Sequence, residues 1–157
     1  MSKTIEMILA EVEAFNESIR EVLNAKKINA SGEASRSLRV EHDYDSVKSI
    51  GIFYLEFLDT GRGPGKRPPI QKLIQWAKIK FGASDEESVK IAFAVANNIA
   101  KLGTLIFRNN QKGIELSKKI VTLRENLRVA IKESTVLEIE QRLDKFKNIA
   151  RKQKYQI

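Results

Sequence analysis

The sequence of 157 residues has no cysteine, a single histidine, a single tryptophan and three prolines. Without cysteine there is no disulfide framework, no thiolate zinc site and no cysteine nucleophile. The lone His42 cannot build a multi-histidine metal site. Long apolar runs are missing too. The longest, Ile91 to Ala100, contains Asn97 and Asn98 and reads as too short and too polar to cross a bilayer. Glu6, Glu11 and Glu13 stand where a targeting segment would avoid acids, so a cytoplasmic product or part of an intracellular assembly is expected. With 42% hydrophobic residues, the chain is expected to fold as a domain of ordinary size without covalent staples.

What is present in excess is basic charge, and it is unevenly placed. Up to Asp59 there are seven basic and eleven acidic residues; from Gly61 onward there are twenty-one basic and nine acidic. No acid occurs between Asp59 and Asp85, where Arg62, Lys66, Arg67, Lys72, Lys78 and Lys80 fall, and none between Glu87 and Glu115. Such asymmetry suits contact with a polyanion, or packing of basic on acidic surfaces between copies. A solvated basic face is the plain alternative.

The order of elements reads as an α+β chain: a helix, an antiparallel hairpin or small sheet, a Gly/Pro loop and a mostly helical second half. From Ile5 to about Lys26 apolar residues recur at three- and four-residue steps, an amphipathic helix with an acidic outer face. Asn29 to Gly32 form a linker. Leu38, Val40 and His42 then alternate with Arg39, Glu41 and Asp43 as in a strand, Asp43 to Ser46 read as a turn, and Val47 to Tyr54 would return antiparallel. Gly51 suits a bulge or a close backbone approach. The stretch from Tyr54 to Pro69 holds three glycines and three prolines between Gly61 and Pro69, which opposes regular structure. Pro69 opens a helix that Gly82 ends, and Ser84 with Glu87 forms a capping box for the next, about Asp85 to Leu102. That helix is apolar around much of its circumference and is expected to be buried on more than one side, as a core helix or against another chain. Thr104 to Phe107 suit a short strand, and Arg108 to Gly113 a polar elbow. Thereafter Leu116, Ile120, Leu123 and Leu127 form one stripe, while Val136, Ile139, Leu143, Phe146 and Ile149 form a second on a rotated face. Thr135 and Glu138 suit a second capping box, leaving one bent helix or two. The basic tail from Arg151 is expected to be loose.

Tests for catalysis mostly fail. A phosphate-binding loop needs Gly-x-x-x-x-Gly-Lys followed by Ser or Thr; here Thr60 stands at the first glycine and Arg67 at the hydroxyl. Glu56 and Asp59 could act as an acid/base pair, but their spacing and the apolar residues around them suit surface charges on a short strand or turn. His42 lacks an evident partner. No enzyme, cofactor or metal is expected. Physically, the loop can bind by shape and charge. Its glycines allow close approach, its prolines lower the entropy cost of ordering, and Arg62, Lys66 and Arg67 offer donors to phosphate or carboxylate. Interleaved aromatics and a basic recognition helix are both missing, so sequence-specific nucleic-acid reading is not expected.

The run Tyr54-Leu55-Glu56-Phe57-Leu58-Asp59-Thr60-Gly61-Arg62-Gly63-Pro64, with Pro68-Pro69 opening a helix, follows an amphipathic helix and a hairpin. This order resembles the tail-completion and head-tail joining proteins of tailed bacteriophages. In these a tyrosine, an acidic residue and a Gly-Thr-Gly or Thr-Gly-x-Gly-Pro turn lead into a proline-rich stretch. With Trp76 on the helix after Pro-Pro and an Ala-rich helix next, the chain is most similar to virion proteins of phages of Bacteroides-like hosts. The resemblance covers Ile5 to Phe107 and implies a core domain at 1–107 with a helical extension at 108–157, packed on that domain or on a neighbouring subunit. It implies a non-enzymatic neck or tail subunit of the virion, made in the host cytoplasm and taking part in genome ejection. The partners implied are sister copies in a ring of roughly six or twelve, the portal and adjacent rings, and double-stranded DNA held non-specifically in the channel, with no membrane. Arg62, Gly63, Pro64, Lys66 and Arg67 would form the partner- or DNA-contacting loop, and Tyr54, Glu56, Asp59 and Trp76 a further interface. The long basic segment after Gly113 exceeds a minimal domain of this kind and suits an extra docking arm. The second reading is a freestanding, sequence-tolerant DNA-binding protein, motivated by the basic half.

Overall fold

Three- and four-residue spacing places Val12, Asn16, Ile19 and Leu23 on one buried side of the first helix, α1 (Lys3–Ala25). Everything else is arranged from that side. The coordinates are a computed structural model that describes residues 3–26, 28 and 31–154, the last five by backbone alone. The middle of the linker, Asn29 and Ala30, and the tail beyond Lys154 lie outside the described residues.

A short helix α2 (Glu33–Ser37), not expected from the sequence, follows Gly32, whose φ of 72° starts it from the left-handed region. Strands β1 (Arg39–His42) and β2 (Val47–Ile50) pair antiparallel, Val40 opposite Ser49, with Asp43 N–H donating to the Ser46 carbonyl across the turn. The α+β class therefore holds, with a single hairpin among the described residues. The second strand stops at Ile50 rather than Tyr54. Gly51 is a close-approach glycine, since a Cβ there would lie 3.1 Å from the Leu38 side chain. Arg20 ties α1 to this layer: its guanidinium donates to the Ser35 and Leu38 carbonyls at 3.2 and 2.6 Å and to Glu17.

Tyr54 to Pro69 is not wholly irregular. Leu55–Thr60 form a helix, α3, because Leu55 and Leu58 at three-residue spacing reach the core while Glu56 and Phe57 face outward. Only Gly61 to Pro69 stay irregular. The core gathers Ile19, Leu23, Ala34, Leu38 and Ile114, with Tyr54, Leu55, Leu58 and Leu116 packed around them.

Helices α4 (Ile70–Phe81) and α5 (Asp85–Leu102) match the expected bounds and pack chiefly on each other. The Ser84 capping box is present with both reciprocal bonds, and Lys78 reaches Asp85 at 2.5 Å across the α4–α5 corner. The backbone and hydroxyl of Ser84 hold the Glu87 carboxyl below its ordinary value. Ser84→Ala is expected to destabilise α5 by about 1 kcal/mol in chemical denaturation. Because the carboxyl is depressed in the fold, the box contributes fully above the ordinary Glu range and fades as pH falls through the folded value. The difference between wild type and Ser84→Ala should shrink accordingly in acid.

The expectation that α5 is buried on more than one side is corrected. Its buried residues are the small Ser88, Ala92 and Ala96, which seat against Ala77 of α4, while Val89 and Phe93 remain 39% and 46% exposed. Small residues bring the two helices close, but one helix can cover only one stripe. The ten-residue limit read from the sequence is also corrected: by length and composition alone, Asp85–Arg108 is long and apolar enough to cross a membrane. The helix itself stops at Gly103, and a further turn, α6 (Leu105–Arg108), takes the place of a possible strand.

After the elbow, one unbroken helix, α7 (Leu116–Lys154), runs antiparallel along α1, and it continues past Arg151 where a loose tail was expected. No second capping box forms. Ser134 and Thr135 instead donate to the Ile131 carbonyl from mid-helix, and Glu138 accepts from Thr4 of α1 at 3.2 Å. Through the change of stripe Ser134 stays buried and Leu137 and Glu138 half-buried, while Val136 and Ile139 face outward.

Candidate interaction surface

The Gly/Pro loop is fastened by its own chain. Arg62 N–H donates to Thr104 Oγ1 at 2.9 Å, Thr104 N–H returns to the Arg62 carbonyl at 2.8 Å, and Gly65 N–H donates to the Ala100 carbonyl at 2.9 Å. Two glycines make this docking possible. Gly61 has φ 74°, and a Cβ on it would lie 2.6 Å from Thr104 Oγ1; Gly103 has φ 78°, with 2.7 Å from such a Cβ to the Arg62 carbonyl. The Phe107 ring lies along Gly63. The loop is thus an ordered joint between α3, the end of α5 and α6. Thr104 and Phe107, which hold it, were not singled out in the sequence; their partners are some forty residues away and no local pattern marks them.

Within the loop, Arg62 is half-buried and spends one guanidinium nitrogen on the Lys66 carbonyl at 2.6 Å. Lys66, Arg67 and Pro64 are exposed, and neither cationic side chain has an ion-pair partner among the described residues. Two of the three expected donors are therefore presented outward on a rigid base.

The further interface positions do not form one patch. Asp59 is buried at 5% exposure rather than a surface charge on a strand or turn; its Oδ1 accepts from Ile114 N–H at 3.1 Å and its carbonyl from Gly113 N–H at 2.7 Å. Glu56, three residues earlier on α3, is exposed. One carboxylate is buried on the Ile114 amide and the other faces solvent, so the two make no acid/base pair. Trp76 is half-buried edge-on to Phe81 at 5.3 Å. His42 sits exposed at the end of β1.

Tyr54 is half-buried against the core, with its hydroxyl 3.4 Å from Glu33, and Lys72 of α4 approaches the same carboxylate at 3.9 Å. Burial foremost, then the charge and hydrogen bond of Glu33, push the Tyr54 hydroxyl above its ordinary 10.0. The neutral phenol is the form the fold favours. Its contribution is complete below the ordinary tyrosine range and is lost as pH rises through the raised value. Glu33→Gln is expected to lower the Tyr54 midpoint in a phenolate absorbance titration.

Charge and apolar surface divide by element. The solvent side of α1 carries Glu6, Glu13, Glu17 and Glu21, all exposed, while α7 supplies Lys and Arg along its outer faces. Six of the seven phenylalanines (Phe53, Phe57, Phe81, Phe93, Phe107 and Phe146) are at least 46% exposed. No family model, curated protein or solved structure matches the chain.

Proposed function

We propose that this chain is a structural subunit of a closed protein ring in the neck or tail of a tailed bacteriophage, joining portal to tail around the DNA channel. The observation that carries the assembly reading is the outward placement of six of seven phenylalanines, together with the apolar positions of α5 and α7. Isolated apolar residues are normal on a monomer, but this many large aromatic side chains facing outward mark surfaces that neighbours cover. The place in the virion rests on the resemblance of the Tyr54 to Pro69 run. The fixed loop with its outward Lys66 and Arg67 supports a contact with DNA or with an acidic rim, and the apolar side of α5 is read as facing protein, since Lys90, Asn98 and Lys101 share its surface.

Native mass spectrometry at near-physiological salt, with and without short duplex DNA, tests the reading. A discrete closed oligomer, or a monomer indifferent to DNA that assembles only with a portal or ring partner, supports it. A stable monomer or dimer that binds duplex tightly, with affinity falling steeply as salt rises, overturns it in favour of a sequence-tolerant DNA-binding protein. Replacing Arg62, Lys66 and Arg67 together by Ala is expected to leave circular dichroism unchanged. Loss of assembly would assign the loop to a neighbouring protein; loss of DNA retention in assembled particles would assign it to the channel.

A further inference from the structure

One end of α7 runs past the other described elements: Gln141, Arg142 and Lys145 still line a shallow groove with Thr4, Ile8 and Asp45, and the helix continues beyond them. Contacts from Lys26 to Glu115, from Asn126 to Glu11 and from Thr4 to Glu138 show α1 and α7 in antiparallel register, with α1 beginning at Lys3. Every residue from Ile139 to Ile149 is exposed, and the backbone continues as helix to Lys154, an arm of roughly 23 Å. It is not a neutral spacer. Ile139, Leu143, Phe146 and Ile149 recur at four-, three- and three-residue steps and are 53%, 52%, 70% and 54% exposed. Arg142, Lys145 and Lys147 stand between them.

At the other end of the same helix pair lies a groove of about 430 Å³ between α1 and α7. Ala14, Phe15, Val22, Ile114 and Leu123 give it an apolar lining, with Glu11 on the α1 side. Glu13, Glu17 and Glu21 follow on the adjoining solvent face of α1, Glu17 already paired with Arg20 at 2.8 Å. The opposite lip holds Lys26, Lys118 and Lys119, of which Lys26 and Lys118 are turned onto Glu115. Leu123 and Phe146 are twenty-three residues apart on one continuous helix, so groove and arm are separated by about 35 Å and cannot meet within a chain.

We propose that the arm of one copy docks in the α1–α7 groove of the next, with Leu143 and Phe146 on its apolar lining and Arg142, Lys145 and Lys147 against the glutamates of α1. Charge selects this pairing over arm against arm. Residues 139–154 hold six basic and two acidic residues, so two arms repel, whereas residues 6–21 hold five acidic residues and one basic. The contact joins unlike surfaces at opposite ends of the molecule. It is therefore heterologous, the kind that propagates into a ring when the rotation closes. The inference deepens the ring reading and rests on it for closure.

The cysteine-free chain permits a direct test. Ala14→Cys and Phe146→Cys are prepared separately, then mixed under mild oxidation, with native mass recorded in parallel. A disulfide dimer in the mixture, absent from either variant alone, is expected, and Ile149→Cys in place of Phe146→Cys should repeat it with the phenylalanine intact. Cross-linking of Phe146→Cys to itself alone overturns the proposal in favour of arm-to-arm pairing. An oligomer that persists without any mixed cross-link overturns the contact but leaves the ring reading standing, and a chain monomeric at every concentration overturns the proposal while the ring reading passes to assembly with a partner protein. A charge swap gives a second readout. Glu13, Glu17 and Glu21→Lys, or Arg142, Lys145 and Lys147→Glu, should each weaken self-association about tenfold or more, and a mixture of the two should recover it; failure to recover overturns the pairing.

Discussion

Gly113→Ala is expected to lower the stability of the fold by at least about 3 kcal/mol, read as an earlier midpoint in urea denaturation. A Cβ at this position would overlap the Leu58 carbonyl oxygen and come within 3.3 Å of Ile106 Cδ1; the isoleucine methyl can yield, but the carbonyl belongs to the α3 backbone. Gly113 must then move, and two bonds go with it: its own N–H to the Asp59 carbonyl and the Ile114 N–H to the Asp59 carboxylate. Ile114, fully buried in the core, is displaced in the same step. A buried amide left without an acceptor costs about 1–3 kcal/mol, and partial exposure of a buried isoleucine is of similar size. Asp59→Ala separates the contributions, since it removes one acceptor without adding bulk and should cost about 1–3 kcal/mol. Asp59→Asn keeps an acceptor oxygen and should cost less. If Gly113→Ala proves milder than Asp59→Ala, the close approach of the elbow to α3 is not what holds Ile114 in place.

This pair also marks where sequence reasoning stops. Asp59 lies in a Leu-Asp-Thr-Gly run that looks like the edge of a surface turn, and nothing within ten residues of it announces Ile114 as its partner. The helical bounds were legible where local chemistry sets them. Pro69 and Gly82 bracket α4, and Ser84 with Glu87 start α5, because caps act on neighbours in sequence. The short helices α2 and α3 were not legible, since five or six residues carry too little periodicity and form only because the core receives Ala34, Leu55 and Leu58.

The amount of apolar residue on α5 was visible, but its distribution between core and surface was not. A helix apolar on all sides suits a core in a chain large enough to surround it. Here Ile19 and Leu23 of α1 with Ala34, Leu38 and Ile114 form a separate cluster, and α5 packs chiefly on α4, with the Gly/Pro loop at its end. The same logic applies to Thr135 and Glu138. Their spacing fits a capping box, yet α7 runs through them: Thr135 bonds back to the Ile131 carbonyl and Glu138 reaches Thr4 of α1. The division of charge was legible from the first count; which faces it occupies required α1 and α7 to be laid antiparallel.

Ending the chain after Lys145 is expected to leave the folded subunit nearly unchanged while removing its self-association. Phe146 and Ile149 are exposed and lie outside the core, whereas Gln141, Arg142 and Lys145, which are kept, line a groove with Thr4 and Ile8 of α1 and with Asp45. The thermal midpoint should therefore shift by no more than about 2 °C. Against a neighbour the same two side chains are worth far more, because burying a phenylalanine and an isoleucine already half exposed contributes roughly 3 kcal/mol in all. That corresponds to about a hundredfold in the dissociation constant of each contact, and a ring multiplies the loss around its circumference. Sedimentation velocity with parallel thermal denaturation distinguishes the outcomes. A shortened chain that stays folded and sediments as a monomer is the expected result. A fall in thermal midpoint beyond about 5 °C would mean that the arm supports its own subunit, and an unchanged oligomer would move the interface to the exposed side of α5, where Val89 and Phe93 then become the residues to replace.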